Sequence, residues 1–174
     1  LSHGKTSGHE FEDNEWPLNR MKQVATRLAP KDLAHNKFME SIFVWLDITA
    51  PRYLWQEIDT YRVAVSKNSE STMHTILKRY LSQDDFEDPI YSCTLEALNA
   101  DIENKDFNTV KANLPESFLQ RRIVCLNYKV LRNIFLQRAN HKLELWRDFI
   151  RSVYNQVDHP RLLPDLTSLR RQES

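Results

Sequence analysis

His35 to Arg62 reads HNKFMESIFVWLDITAPRYLWQEIDTYR, and this stretch decides the fold. From Ser41 to Asp47 the residues alternate: Ile42, Val44, Leu46 and Ile48 point one way, Phe43, Trp45 and Asp47 the other. A period of two in β-branched and aromatic side chains marks a half-buried strand. Thr49 can cap a helix whose first turn holds Pro51, with Leu54, Ile58, Tyr61 and Val65 as its apolar stripe.

On the N-terminal side, residues 1–15 (LSHGKTSGHEFEDNE) are polar and aperiodic, and read as an arm. A first amphipathic helix starts at Asn14 or Glu15 ahead of Pro17, repeats through Leu18, Met21, Ala25 and Leu28, and stops at Pro30. Lys31 to Lys37 is short and helical or irregular. On the C-terminal side, Ser66 to Ser71 (SKNSES) reads as a loop, Met73 to Leu81 as amphipathic, and Gln83 to Pro89 as an acidic loop. Ser92 to Asn104 forms a helix with Leu95, Leu98 and Ile102 inward. Pro115 opens a long helical segment reaching Ala139, Glu144 to Tyr154 is the last helix, and a tail follows from residue 161. One strand, two more without assigned residues and several helices make an α+β fold, with a single domain over residues 16–160.

The composition excludes several functions. Glycine occurs twice, at Gly4 and Gly8, so no Walker loop, Rossmann fingerprint or nucleophile elbow can form, because each needs glycine where backbone meets phosphate or turns sharply. Any bound phosphate must be held by side chains. With 24 Lys+Arg against 24 Asp+Glu, no net charge steers the chain toward a nucleic acid polymer or a membrane surface. No run approaches the ~20 apolar residues of a membrane span, and the expected compartment is the cytoplasm. Cys93 and Cys125 form neither a disulfide framework nor a zinc site, and His35, His74 and His141 lie far apart, so no metal is expected.

Two groups of residues could carry chemistry. Asn127 and Arg138 lie eleven apart, which on a helix brings them within ~20° of one face and ~16 Å along the axis. Arg138 needs a partner, and a bound anion or a pair with Glu144 or Asp148 would each satisfy it; Lys129 and Asn133 flank the same helix. If the second helix continues past Val65, Arg62, Ser66 and Ser69 share a face near Ser71, a guanidinium and hydroxyls suited to phosphate, although serines also cap and turn.

These motifs resemble the flavin-dependent thymidylate synthases. His35, Glu40, Ala50, Pro51 and Arg62 fall on the family's positions from its flavin-side histidine to the end of its Ala-Pro helix, with Glu57 where the family usually has glutamine. Arg121-Arg122-Ile123-Val124 resembles its Arg-Ile-Val segment, and Asn127 to Arg138 (NYKVLRNIFLQR) resembles its Asn-x-Arg-x-Leu-x-Asn-Phe-Leu-x-x-Arg helix. Thr60-Tyr61-Arg62 departs from the family's Arg-His-Arg, Met73 replaces the arginine after the serine, and the connection from Arg122 to Asn127 is shorter. The resemblance implies a small central antiparallel sheet packed with helices, a homotetramer with shared sites, and FAD as cofactor. It further implies one-carbon transfer from methylenetetrahydrofolate to dUMP or a related pyrimidine deoxynucleotide, with NADPH as reductant. His35, Arg62, Asn127, Lys129 and Asn133 would face the flavin. Glu57, Ser69, Ser71, Arg122 and Arg138 would face the nucleotide, with Ser71 and Arg138 nearest the chemistry. A protein of this fold that binds nucleotide or flavin without turnover is the alternative.

Overall fold

The computed structural model describes residues 15–31 and 33–169; the expected arm, apart from Glu15, lies outside them. Helix α1 (Glu15–Leu28) leads through a 3-10 stretch (Leu33–Ser41) into strand β1 (Phe43–Pro51), helix α2 (Arg52–Ile58) and strand β2 (Val65–Ser69). The short helix α3 (Thr72–Thr75) precedes α4 (Ser92–Glu103) and α5 (Phe107–Asn113). Strand β3 (Leu119–Asn127) then runs into α6 (Tyr128–Arg138), followed by α7 (Glu144–Gln156) and α8 (Leu166–Leu169).

The strands form one antiparallel sheet in the order β1-β3-β2. Phe43 faces Asn127 and Pro51 faces Leu119 across β1 and β3, while Val65 faces Leu126 and Ser69 faces Arg122 across β2 and β3. Val44, Leu46, Ile48, Val124 and Leu126 lie on the packed side with Leu54, Trp55, Leu131, Phe135, Trp146 and Ile150. Each fully buried large side chain contributes roughly 1.5–3 kcal/mol. The alternate residues, Phe43, Trp45 and Ile123 among them, stay exposed on an open face. A second core joins Ile76, Leu98, Ile102, Val110 and Phe118 around α4 and α5. The α+β class expected from the sequence is the observed one.

Several boundaries differ. The strand extends to Pro51, so Thr49 is a strand residue and caps nothing; Pro51 itself occupies the N-cap of α2. Helix α2 ends at Ile58, where the Thr60 hydroxyl donates to the Glu57 carbonyl at 2.7 Å, and Val65 belongs to β2. The supposed loop Ser66–Ser71 is mostly this strand, because β3 offers it a ladder. Arg62, Ser66 and Ser69 therefore share no helical face, and successive odd and even residues of β2 point to opposite sides. The long helix expected from Pro115 is β3 plus α6: Arg122, Val124 and Leu126 alternate with Arg121, Ile123 and Cys125 in the central strand. From Met73 to Leu81 only α3 is helical at the start, although Ile76 and Leu81 are buried. The chain beyond residue 161 enters the core through Leu162 and Leu163, so the expected tail does not begin there.

With no glycine available, Ala64 and Lys105 take left-handed backbone at φ 55° and 56°. Lys105 follows the C-cap Asn104, and its N–H reaches the Ile102 carbonyl while the Asp106 N–H reaches that of Asp101, both at 3.0 Å. This is the Schellman arrangement that glycine usually serves.

Candidate functional site

The junction of β3 and α6 builds a cleft. Asn127, the last strand residue, is 4% exposed and caps α6, its Oδ1 accepting the Val130 N–H at 3.0 Å. That cap fixes the angle at which α6 leaves the sheet and contributes about 1 kcal/mol. One turn apart on α6, Lys129 and Asn133 line the same cavity of about 710 Å³ as Asn127. Lys129 Nζ donates to Glu40 Oε1 at 2.6 Å, and this hydrogen bond holds the Glu40 carboxyl below its usual range. Phe43, Val63 and Leu136 supply apolar walls that face water, 60%, 85% and 51% exposed. Asn36, also at this cleft, keeps a buried Oδ1 without a partner among the described residues. Apolar walls beside amides and an ammonium suit a planar heteroaromatic ligand with polar edge atoms.

The end of α2 gathers the arginines. Arg138 Nη1 donates to Glu57 Oε2 at 3.0 Å, and its Nε donates to the Tyr61 hydroxyl at 3.0 Å. The same Glu57 oxygen accepts from Trp146 Nε1 at 2.7 Å and lies 3.4 Å from His141 Nε2. Two residues along, Asp59 accepts from Arg122 Nη1 at 3.1 Å and from Lys67 Nζ at 2.8 Å. Burial pushes the Asp59 carboxyl up, but the hydrogen bonds and charges of Lys67 and Arg122 prevail and hold it below its usual range. The Arg122 guanidinium stacks 4.4 Å from the centre of the Trp55 ring, and its Nε is buried without a partner among the described residues.

A further cation, Lys111 of α5, donates to the Thr72 hydroxyl at 2.7 Å. Burial, with the neighbouring charges of Arg52 and Arg122, pushes its ammonium down from the usual lysine value. Arg52 is held by Glu116 at 3.3 Å and by the Leu114 carbonyl, whereas no carboxylate pairs with Lys111 among the described residues. Lys111, Arg122 and the hydroxyl-bearing segment Ser69–Thr72 thus form an electropositive corner, since Ser69 is the strand partner of Arg122. Such a corner suits an oxyanion.

The expected residues divide accordingly. Asn127, Lys129 and Asn133 meet in the cleft; Glu57 and Arg138 meet at the end of α2, so Arg138 pairs with neither Glu144, bonded to Arg147, nor Asp148, bonded to Arg151. Ser69 neighbours Arg122, while Ser71 is exposed at the start of α3. His35 and Arg62 are exposed and do not line the cleft. Sequence reasoning passed over Lys111, Asp59 and Trp146. Only Tyr61, standing beside Arg62 where a cation and imidazole are missing, hinted at a rebuilt hub.

No family model matches this chain, and no curated protein matches it in sequence. The architecture is that of the flavin-dependent thymidylate synthases. Two structures of thymidylate synthase X (ThyX) from Helicobacter pylori, each with FAD and dUMP, are similar to it at TM-scores of 0.73 and 0.72, with 18% and 19% identity. In both, the likeness covers 84% of this chain and 83% of that one. At such identity it establishes the fold.

Proposed function

We propose that the chain transfers a one-carbon unit from methylenetetrahydrofolate to dUMP or a related pyrimidine deoxynucleotide, using FAD and ultimately NADPH. The observation that carries this reading is the meeting of Asn127, Lys129 and Asn133 on one cleft with apolar walls, in a chain of this fold. The amides of Asn127 and Asn133 beside the exposed Phe43 and Leu136 fit a flavin on chemical grounds. When bound, FAD would supply the hydride that reduces the transferred carbon. The chain's own residues do the rest: Asn127 and Asn133 orient the ring edge through their amides, and Lys129 compensates negative charge.

On the nucleotide side, Arg138 would direct its guanidinium at the pyrimidine and withdraw electron density from it, with Tyr61 holding its plane and Glu57 competing with the nucleotide for it. Arg122, Lys111, Ser69 and Ser71 would receive the phosphate through side chains, as a chain without glycine loops requires. His35 and Arg62, exposed and outside the cleft, would reach the flavin from another copy in a homotetramer. The open sheet face with Phe43 and Trp45 uncovered supports self-association.

A second reading, a nucleotide- or flavin-binding protein without turnover, is favoured by one observation: Arg138 and Arg122 already clasp Glu57 and Asp59. Incubation with dUMP, methylenetetrahydrofolate, FAD and NADPH, with products followed by mass, separates the two. A methylated or hydroxymethylated nucleotide supports turnover. Thermal stabilisation by dUMP without product selects the second reading, and neither effect defeats both.

A further inference from the structure

Strand β1 is an edge strand, and its hydrogen-bonding parity is fixed. The Tyr128 N–H donates to the Ile42 carbonyl at 2.9 Å and the Arg52 N–H to the Phe118 carbonyl at 3.1 Å, so the even positions of β1 exchange bonds with β3. The N–H and C=O groups of Phe43, Trp45, Asp47 and Thr49 therefore point to the outer edge, where no described residue pairs with them. Nine residues of unprotected edge is long for a native sheet, which ordinarily covers or blunts it.

That edge opens into a cavity of about 810 Å³ whose far wall is α7, through Leu145, Phe149, Val153 and the polar Asp148 and Ser152 between them. Glu87 and Asp158 add carboxylates to the lining, against a single histidine, His159. Neither Glu87 nor Asp158 makes an ion pair among the described residues. The groove thus offers a backbone ladder, an apolar wall on the core side and an acidic rim.

We propose that this groove takes an extended, basic segment of another polypeptide as a fourth strand. Alternate residues of the added strand would turn apolar side chains toward Phe149 and Val153, and the intervening residues would set lysine or arginine near Glu87 and Asp158. A second copy of β1 suits the rim less well, because the strand carries no basic residue to answer Glu87 and Asp158, its one charged residue, Asp47, being held by Arg121. The segment before α1 brings Glu10, Glu12 and Asp13, the wrong charge for this rim. The inference stands apart from the proposed catalysis.

The test uses the full chain and a fluorescein-labelled octapeptide of alternating lysine and valine, read by anisotropy. It should bind at least tenfold tighter than the same peptide with glutamate for lysine, and at least tenfold tighter than one N-methylated at alternate residues. Thr49→Pro removes one outward N–H and spares the ladder to β3; it should weaken binding at least tenfold with the circular dichroism unchanged. Glu87→Lys, at an exposed position, should weaken the lysine peptide severalfold and improve the glutamate one. Equal binding of the three peptides, or indifference to both substitutions, overturns the proposal. So does a dimer, seen by sedimentation, that Thr49→Pro dissociates, since the edge would then be a seam between copies.

Discussion

Arg138 Nη1 lies 3.0 Å from Glu57 Oε2, so a guanidinium suited to a substrate anion is already answered by the protein's own carboxylate. Each partner is mostly buried, with side-chain exposures of 20% and 29%. Neutralising Glu57 while keeping its shape should release Arg138. Glu57→Gln retains an acceptor for Trp146 Nε1 and should cost about 1 kcal/mol of stability. It should tighten dUMP binding by about tenfold, or ~1.4 kcal/mol, measured by calorimetric titration. Unchanged or weaker binding would remove Arg138 from the nucleotide site.

Lys111 offers a separate test, because among the described residues its ammonium has a hydroxyl but no carboxylate for a partner, and it sits among other cations. Lys111→Met should relieve that repulsion and leave stability unchanged or raised. The same variant should weaken binding of inorganic phosphate and of dUMP by about tenfold, and flatten its dependence on salt. Equal affinity for both variant and parent protein would show that the electropositive corner serves only the fold.

Acid stability should depend on Asp59. Its folded-state pKa lies below the unfolded value, so its contribution is complete above about pH 4 and is lost as pH falls through the lower folded value. Asp59→Asn should lower stability near neutrality and lessen the fall of the urea midpoint as pH drops below about 4. A variant that tracks the parent protein across that window would show that Lys67 and Arg122 gain nothing from the pair.

Left-handed backbone at Lys105 gives a prediction of the opposite sign. Lys105→Gly removes the steric cost of φ 56° at the end of α4 and touches no ion pair. It should stabilise the protein by about 0.5–1 kcal/mol, net of the greater freedom of glycine in the unfolded chain. Leu131→Ala, at a fully buried position, should cost roughly 2–5 kcal/mol. Both are measurable by denaturant midpoint, and a destabilised Lys105→Gly would mean that the turn is not strained.

Local periodicity made some of this legible. The alternation Ile42 to Ile48 announced β1, and the apolar repeats of α4 and α7 announced those helices, since each buries one face that the sequence itself marks; α1 forms where its repeat places it, yet leaves Leu18 and Met21 of that repeat exposed. Strands β2 and β3 were hidden for different reasons. Ser66, Asn68 and Ser69 carry little strand preference and extend because β3 pairs with them, while Leu119 to Asn127 reads equally well as the start of α6. In the candidate site, Asn127, Lys129 and Asn133 were legible because one helix and its N-cap hold all three. The hub of Glu57, Tyr61, Arg138 and Trp146 joins positions up to 89 residues apart, and Lys111 reaches its corner from a different helix. Contacts between elements leave no period to read.

The cleft of Asn127, Lys129 and Asn133 carries the functional account, and FAD titrated into the purified protein tests it most directly. The flavin absorption bands should shift and sharpen with saturation, Asn133→Ala should weaken that binding by about tenfold, and dUMP should perturb the bound spectrum further. A flavin spectrum identical to that of free FAD at every protein concentration, with and without dUMP, would contradict the account.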